Sequence, residues 1–124
     1  DEKDWYDVDV ITCAAPNLRE RPSNRFNQNN GDHAVKVSDR ELLEIHKKRL
    51  TRILDVAALN NAEVVILGAF GCGAFQNKPE VVARAAKEVI TEYLHVFKTI
   101  EFAVYCSPRD DTNFRVFKRV LGMM

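Results

Sequence analysis

Nowhere in this 124-residue chain do apolar residues run long enough to span a bilayer, and no signal-peptide pattern occupies its first residues. Charge of one sign is missing too: 18 basic residues stand against 18 acidic ones, for a formal net charge of zero. Without a positive field, direct binding of nucleic acid is not expected, because phosphate backbones are captured by clustered lysine and arginine. Cysteine is scarce. Cys13, Cys72 and Cys106 form an odd set with no CxxC pair, which argues against a disulfide framework and for a reducing, cytoplasmic setting. The three cysteines and three histidines show no ligand spacing, so no metal is expected, and no cofactor is implied.

What is present is concentrated between Glu63 and Phe75, EVVILGAFGCGAF. Glu63 to Leu67 reads as a strand buried on both faces, since it is apolar and largely β-branched. It runs into a loop carrying Gly68, Gly71 and Gly73, and a helix begins at Pro79. Strand, glycine loop and helix N-terminus is an arrangement in which backbone N–H groups converge on an anion. The loop is not a P-loop, because Gly73 is followed by Ala74 and Phe75 rather than by Lys and Ser or Thr. Nor is it the dinucleotide fingerprint, whose glycines are spaced GxGxxG; here the order is GxxGxG. Two readings stay open: a diphosphate cradle, or a tight turn whose glycines serve packing alone.

Taken in order, Asp7 to Cys13 reads as a first strand, ended by Pro16. In an open α/β sheet ligands sit beyond the carboxyl ends of the strands, which would put Pro16 and Asn17 on the rim that holds the glycine loop. Leu18 to Val37 is an Asn- and Arg-rich connection with no sustained periodicity, in which Arg19, Arg21 and Arg25 could reach phosphates and His33 has no partner pattern. Ser38 and Glu41 form a capping box opening a helix to about Leu59, with Leu42, Leu43, Leu50, Ile53, Leu54 and Ala57 as its apolar stripe. His46 lies on that stripe and reads as a packing histidine.

The helix opened by Pro79 buries Val81, Val82, Ala85, Ala86, Val89, Ile90, Tyr93 and Leu94. Thr99 to Cys106 is a third strand, and a last helix starts near Thr112. The third strand also ends on the rim, so Asn113 and Phe114 are candidates for bonding the edge of a base and stacking on it; Phe114 reads equally as the seat of the last helix. Phe70 is a further rim candidate. The order β-α-β-α-β-α predicts an α/β fold with a mainly parallel sheet under helices.

Three segments together resemble one family: VDVITCAAPN (Val8 to Asn17), LGAFGCGAFQNKPEVVA (Leu67 to Ala83) and FAVYCSPRDDTNFRVF (Phe102 to Phe117). They are similar to the bacterial-type poly(ADP-ribose) glycohydrolases, a branch of the macrodomain fold. The resemblance implies a three-layer α/β/α sandwich and hydrolysis of the ribose–ribose bonds of poly(ADP-ribose). It implies that Gly71, Cys72, Gly73 and Ala74 hold the ADP-ribose diphosphate through backbone N–H groups, that Phe75 packs on the distal ribose, and that Phe114 lies on the adenine side.

The family's catalytic segment, rich in glycine and followed by Gln-Glu-Glu, does not occur between Asp1 and Met124. Glycosidic cleavage needs a carboxylic acid to protonate the departing oxygen. Glu41, Glu63, Glu80 and Glu88 all have structural explanations, so no catalytic residue is assigned. The chain begins at Asp1 rather than methionine. It is expected to be a single partial domain, residues 1–124, matching the carboxyl-terminal half of such an enzyme, with an exposed sheet edge inviting self-association. Three functional readings follow: the ADP-ribose-binding half of a glycohydrolase, a non-catalytic ADP-ribose-binding module, or thiol chemistry at Cys72.

Overall fold

The computed structural model describes residues 2–21, 23 and 35–122. Most of the expected connection from Leu18 to Val37, with Arg25 and His33, lies outside the described residues. Among the described residues three α-helices and two strands alternate: α1 (Asp39–Leu59), β1 (Val64–Leu67), α2 (Pro79–Ile90), β2 (Thr99–Phe102) and α3 (Thr112–Leu121).

Helix α1 starts where the capping box puts it. The Ser38 hydroxyl accepts from the Glu41 N–H at 3.1 Å, and the Ser38 N–H donates to the Glu41 carboxylate at 3.1 Å. Such caps contribute about 1 kcal/mol. The helix buries Leu42, His46, Leu54 and Ala57 along one stripe, and ends at Asn60 and Asn61, the latter left-handed with φ 60°. Helix α2 opens with Pro79 in its first turn and buries Val82, Ala83, Ala85, Ala86, Val89 and Ile90. It tightens into a 3-10 turn at Thr91–Tyr93, so Leu94, expected on the buried face, is instead 52% exposed.

The two strands are parallel, paired from Val64 with Thr99 to Leu67 with Phe102, and α2 makes the crossover between them. Val65 is buried with Leu54, Ala57, Val89, Ile90 and Phe97, and Leu67, Ile100 and Phe102 pack on that cluster. A second cluster of Val82, Ala83 and Phe117 seats α3, with the Phe102 and Phe117 rings 6.0 Å apart. No helix among the described residues is long and apolar enough to cross a membrane.

Three expectations are corrected. The first strand, Asp7–Cys13, forms no ladder among the described residues: Val8 and Val10 are 76% and 79% exposed, and alternation alone cannot make a strand without a paired neighbour. The parallel sheet is therefore two-stranded. Strand β1 is covered on one face only, with Val64 and Ile66 50% and 66% exposed, because both strands pack toward the helices. Strand β2 stops at Phe102 rather than Cys106, since β1, its only ladder partner among the described residues, ends at Leu67. The α/β class stands.

Candidate functional site

Parallel strands deliver their carboxyl ends to one rim, and the glycine loop (residues 68–76) follows β1 there. Gly71 is left-handed at φ 76°, and a Cβ on it would lie 2.6 Å from the Ala15 Cβ and 2.9 Å from the Asn77 amide nitrogen. Only glycine fits. Gly73 differs, since a Cβ there would meet nothing within 4 Å. The fold thus requires the first of these glycines and not the second.

One buried side chain ties the rim together. Asn77, 2% exposed, brings its amide nitrogen within 2.7 Å of the Pro16 carbonyl, 2.9 Å of Gly71's and 3.3 Å of Phe75's. Its oxygen lies 2.8 Å from His46 Nε2 on α1. The Leu18 N–H donates to the Phe75 carbonyl at 2.9 Å, and Arg49 holds the Ala14 carbonyl at 2.8 Å. Asn113, in the first turn of α3, donates to the Cys72 carbonyl at 3.3 Å.

The expected rim residues fall as follows. Pro16 and Asn17 lie beside the glycine loop although their strand does not form, and Asn113 reaches it from α3. Phe75 is partly buried, with the Arg19 guanidinium 5.6 Å from its ring centre. Phe70 turns inward, edge-on to His46 at 5.5 Å and packed on the Val82–Phe117 cluster. Phe114 is 41% exposed, with Lys118 Nζ 5.9 Å from its ring.

Within the loop, the Cys72 N–H is engaged by the Ala69 carbonyl at 3.0 Å. The N–H groups of Gly73 and Ala74 have no backbone acceptor among the described residues. The Gly73 carbonyl accepts from the Gln76 N–H at 3.0 Å. A trans peptide is planar, with its C=O and following N–H opposed, so the Ala74 N–H points to the other side.

Burial pushes the Cys72 thiol up to about 12, and its Sγ lies 3.8 Å from the Phe70 carbonyl. A thiol in that state is a poor nucleophile, which removes the support for thiol chemistry at this position. Burial likewise holds the His46 imidazole below its ordinary value; the bond to Asn77 opposes this and Arg49 adds to it.

The glutamates considered as acids sit elsewhere. Glu41 caps α1, Glu80 pairs with Arg119, Glu88 pairs with Lys47 at 3.2 Å, and Glu63 precedes β1 at the far end of the strands. No group of three metal-ligating side chains comes together among the described residues. A hollow of about 370 Å³ beside Ala58, Ala62, Glu63 and Lys98 also lies at that far end, away from the loop.

Asn77 is the residue to which sequence reasoning gave no role of its own. The available signal was His46: a histidine on an apolar stripe needs a polar partner once buried.

An α/β unit with a parallel sheet and a glycine loop at the carboxyl rim defines the class, and solved structures narrow it. The chain has a poly(ADP-ribose) glycohydrolase-like, macrodomain-like fold. It is similar to the poly(ADP-ribose) glycohydrolase of Deinococcus radiodurans in complex with ADP-ribose, at 34% identity over 68% of this chain and 34% of that one, with TM-score 0.62. The apo form of that protein aligns over 81% of this chain and 49% of the other, at 24% identity and TM-score 0.63. A mutant glycohydrolase from Thermomonospora curvata is 25% identical over 65% of this chain and 32% of that chain, with TM-score 0.62. The chain thus spans 32–49% of the length of these structures. No protein-family model and no curated protein matches the sequence.

Proposed function

We propose that this chain is the ADP-ribose-binding part of a poly(ADP-ribose) glycohydrolase-like protein, with the glycine loop as its diphosphate cradle. The observation that carries this reading is Gly73, a glycine that packing does not require, beside N–H groups without backbone acceptors among the described residues. Neutral backbone donors suit a chain of zero net charge, because they hold an anion without a lysine cluster. Gly73 and Ala74 supply the free donors, Gly71 sets the turn, and Cys72 joins the loop to Asn113. Arg19 adds a cation over Phe75, the candidate for packing on the distal ribose.

Hydrolysis of ribose–ribose bonds is proposed only for a complete protein, in which a carboxylic acid from a segment beyond this chain would protonate the leaving oxygen. A module that binds ADP-ribose without cleaving it would use the same loop.

The test is calorimetric titration of the chain with ADP-ribose, alongside Gly73→Val. A side chain at this position has room in the protein but occupies the space a diphosphate would take. Binding lost in a folded Gly73→Val variant is the expected result. No binding by folded wild-type chain at millimolar ADP-ribose would overturn the reading for this chain. Release of ADP-ribose from polymer would separate enzyme from binding module.

A further inference from the structure

Resting on the diphosphate reading of the loop, we propose that His46 and Asn77 form a positioning pair, through which helix α1 holds the loop in its ligand-receiving shape. The amide orientation of Asn77 follows from its surroundings. Three carbonyls surround one end, so that end is the NH₂ and the other is the oxygen. An amide oxygen only accepts, so His46 donates from Nε2. His46 thereby fixes which way Asn77 faces.

Asn77 in turn draws the Gly71 and Phe75 carbonyls inward, and its own N–H adds a second bond to Gly71 at 2.9 Å. With both ends of the 71–75 segment held by their carbonyls and the Cys72 N–H taken by Ala69, the Gly73 and Ala74 N–H groups between them stay without a backbone acceptor among the described residues. The pair touches no ligand under this proposal; it acts through the loop. The edge-on contact of Phe70 with His46 locks the imidazole from the loop's own entry side.

The experiment compares the 124-residue chain with His46→Leu and His46→Gln, reading amide exchange by NMR and ADP-ribose affinity by calorimetry. Leucine fills the site but donates nothing; glutamine restores an N–H near the Nε2 position. In His46→Leu the Gln76 and Asn77 amides are expected to exchange about tenfold faster, on the scale of one lost hydrogen bond. Amides within α2, such as Ala86 and Val89, keep their rates. ADP-ribose binding weakens by a similar factor, and His46→Gln recovers both.

Loop exchange unchanged in His46→Leu, or rising in step with α2, would overturn the proposal. Loosening of the loop in His46→Leu with no ADP-ribose binding even by wild type keeps the positioning pair and sinks the diphosphate reading. Binding by wild type with an unmoved loop does the reverse.

Discussion

His46 Nε2 and Asn77 Oδ1 lie 2.8 Å apart across 31 residues of sequence, joining the buried stripe of α1 to the end of the glycine loop. Both side chains are 2% exposed, so neither can exchange this partner for water. Removing one leaves a buried polar group unsatisfied, at a cost of about 1–3 kcal/mol.

The two loop glycines should separate under alanine substitution. Gly71→Ala forces a left-handed alanine against Ala15 and Asn77, and should lower stability by about 2–4 kcal/mol. Gly73→Ala should leave stability within about 0.5 kcal/mol of the parent. Urea denaturation of the two variants checks the contrast.

Acid should weaken the fold through His46. Its imidazole is held below 6.5 in the folded chain, chiefly by burial, so between that depressed value and 6.5 the unfolded chain binds the proton and the folded one does not. The contribution is fully present above pH 6.5 and is lost as pH falls through the folded value. A plot of denaturation midpoint against pH should fall on the acid side, and His46→Gln should flatten that part of the slope. An unchanged slope in His46→Gln would assign the acid sensitivity to other groups.

Thiol alkylation near pH 8 should mark Cys106 first, since it is exposed, and Cys72 last. With the Cys72 thiol raised to about 12, its thiolate fraction is smaller than that of an ordinary thiol by a factor on the order of a thousand. Mass spectrometry of timed samples gives the order. Cys72 labelled as fast as Cys106 would revive it as a nucleophile.

The open face of the sheet should drive weak association of the isolated chain. Val64 and Ile66 are exposed on a two-stranded sheet, an arrangement marginal by itself in water. The expected outcome is an average mass that rises with concentration in sedimentation equilibrium, reduced in Ile66→Lys. A constant monomer mass up to millimolar concentration counts against it.

The elements whose information is local were legible in the sequence. The Ser38–Glu41 box, the Asn60–Asn61 stop and Pro79 each set a boundary within a few residues of chain, and each falls where expected. Asp7–Cys13 was not legible as it stands, because alternation shows the capacity to pair and not the presence of a partner. The two-sided burial read from Val64 and Ile66 has the same origin: apolar composition cannot say which face a neighbour covers. At the site, the glycine spacing located the loop, but which glycine answers to packing depended on Ala15, 56 positions upstream of Gly71. Asn77 was opaque for the same reason, since its partners come from three separate segments.

A loop whose carbonyls are already bonded has little conformational freedom left to lose. Ordering one backbone residue on binding costs about 1–2 kcal/mol, and the segment from Gly71 to Phe75 is tied at both ends before any anion arrives. On the proposed diphosphate reading, its affinity for a phosphate group is set by how well a few fixed dipoles are aimed, with little entropy to subtract. Association with such a site should be fast and should show no slow phase of loop rearrangement.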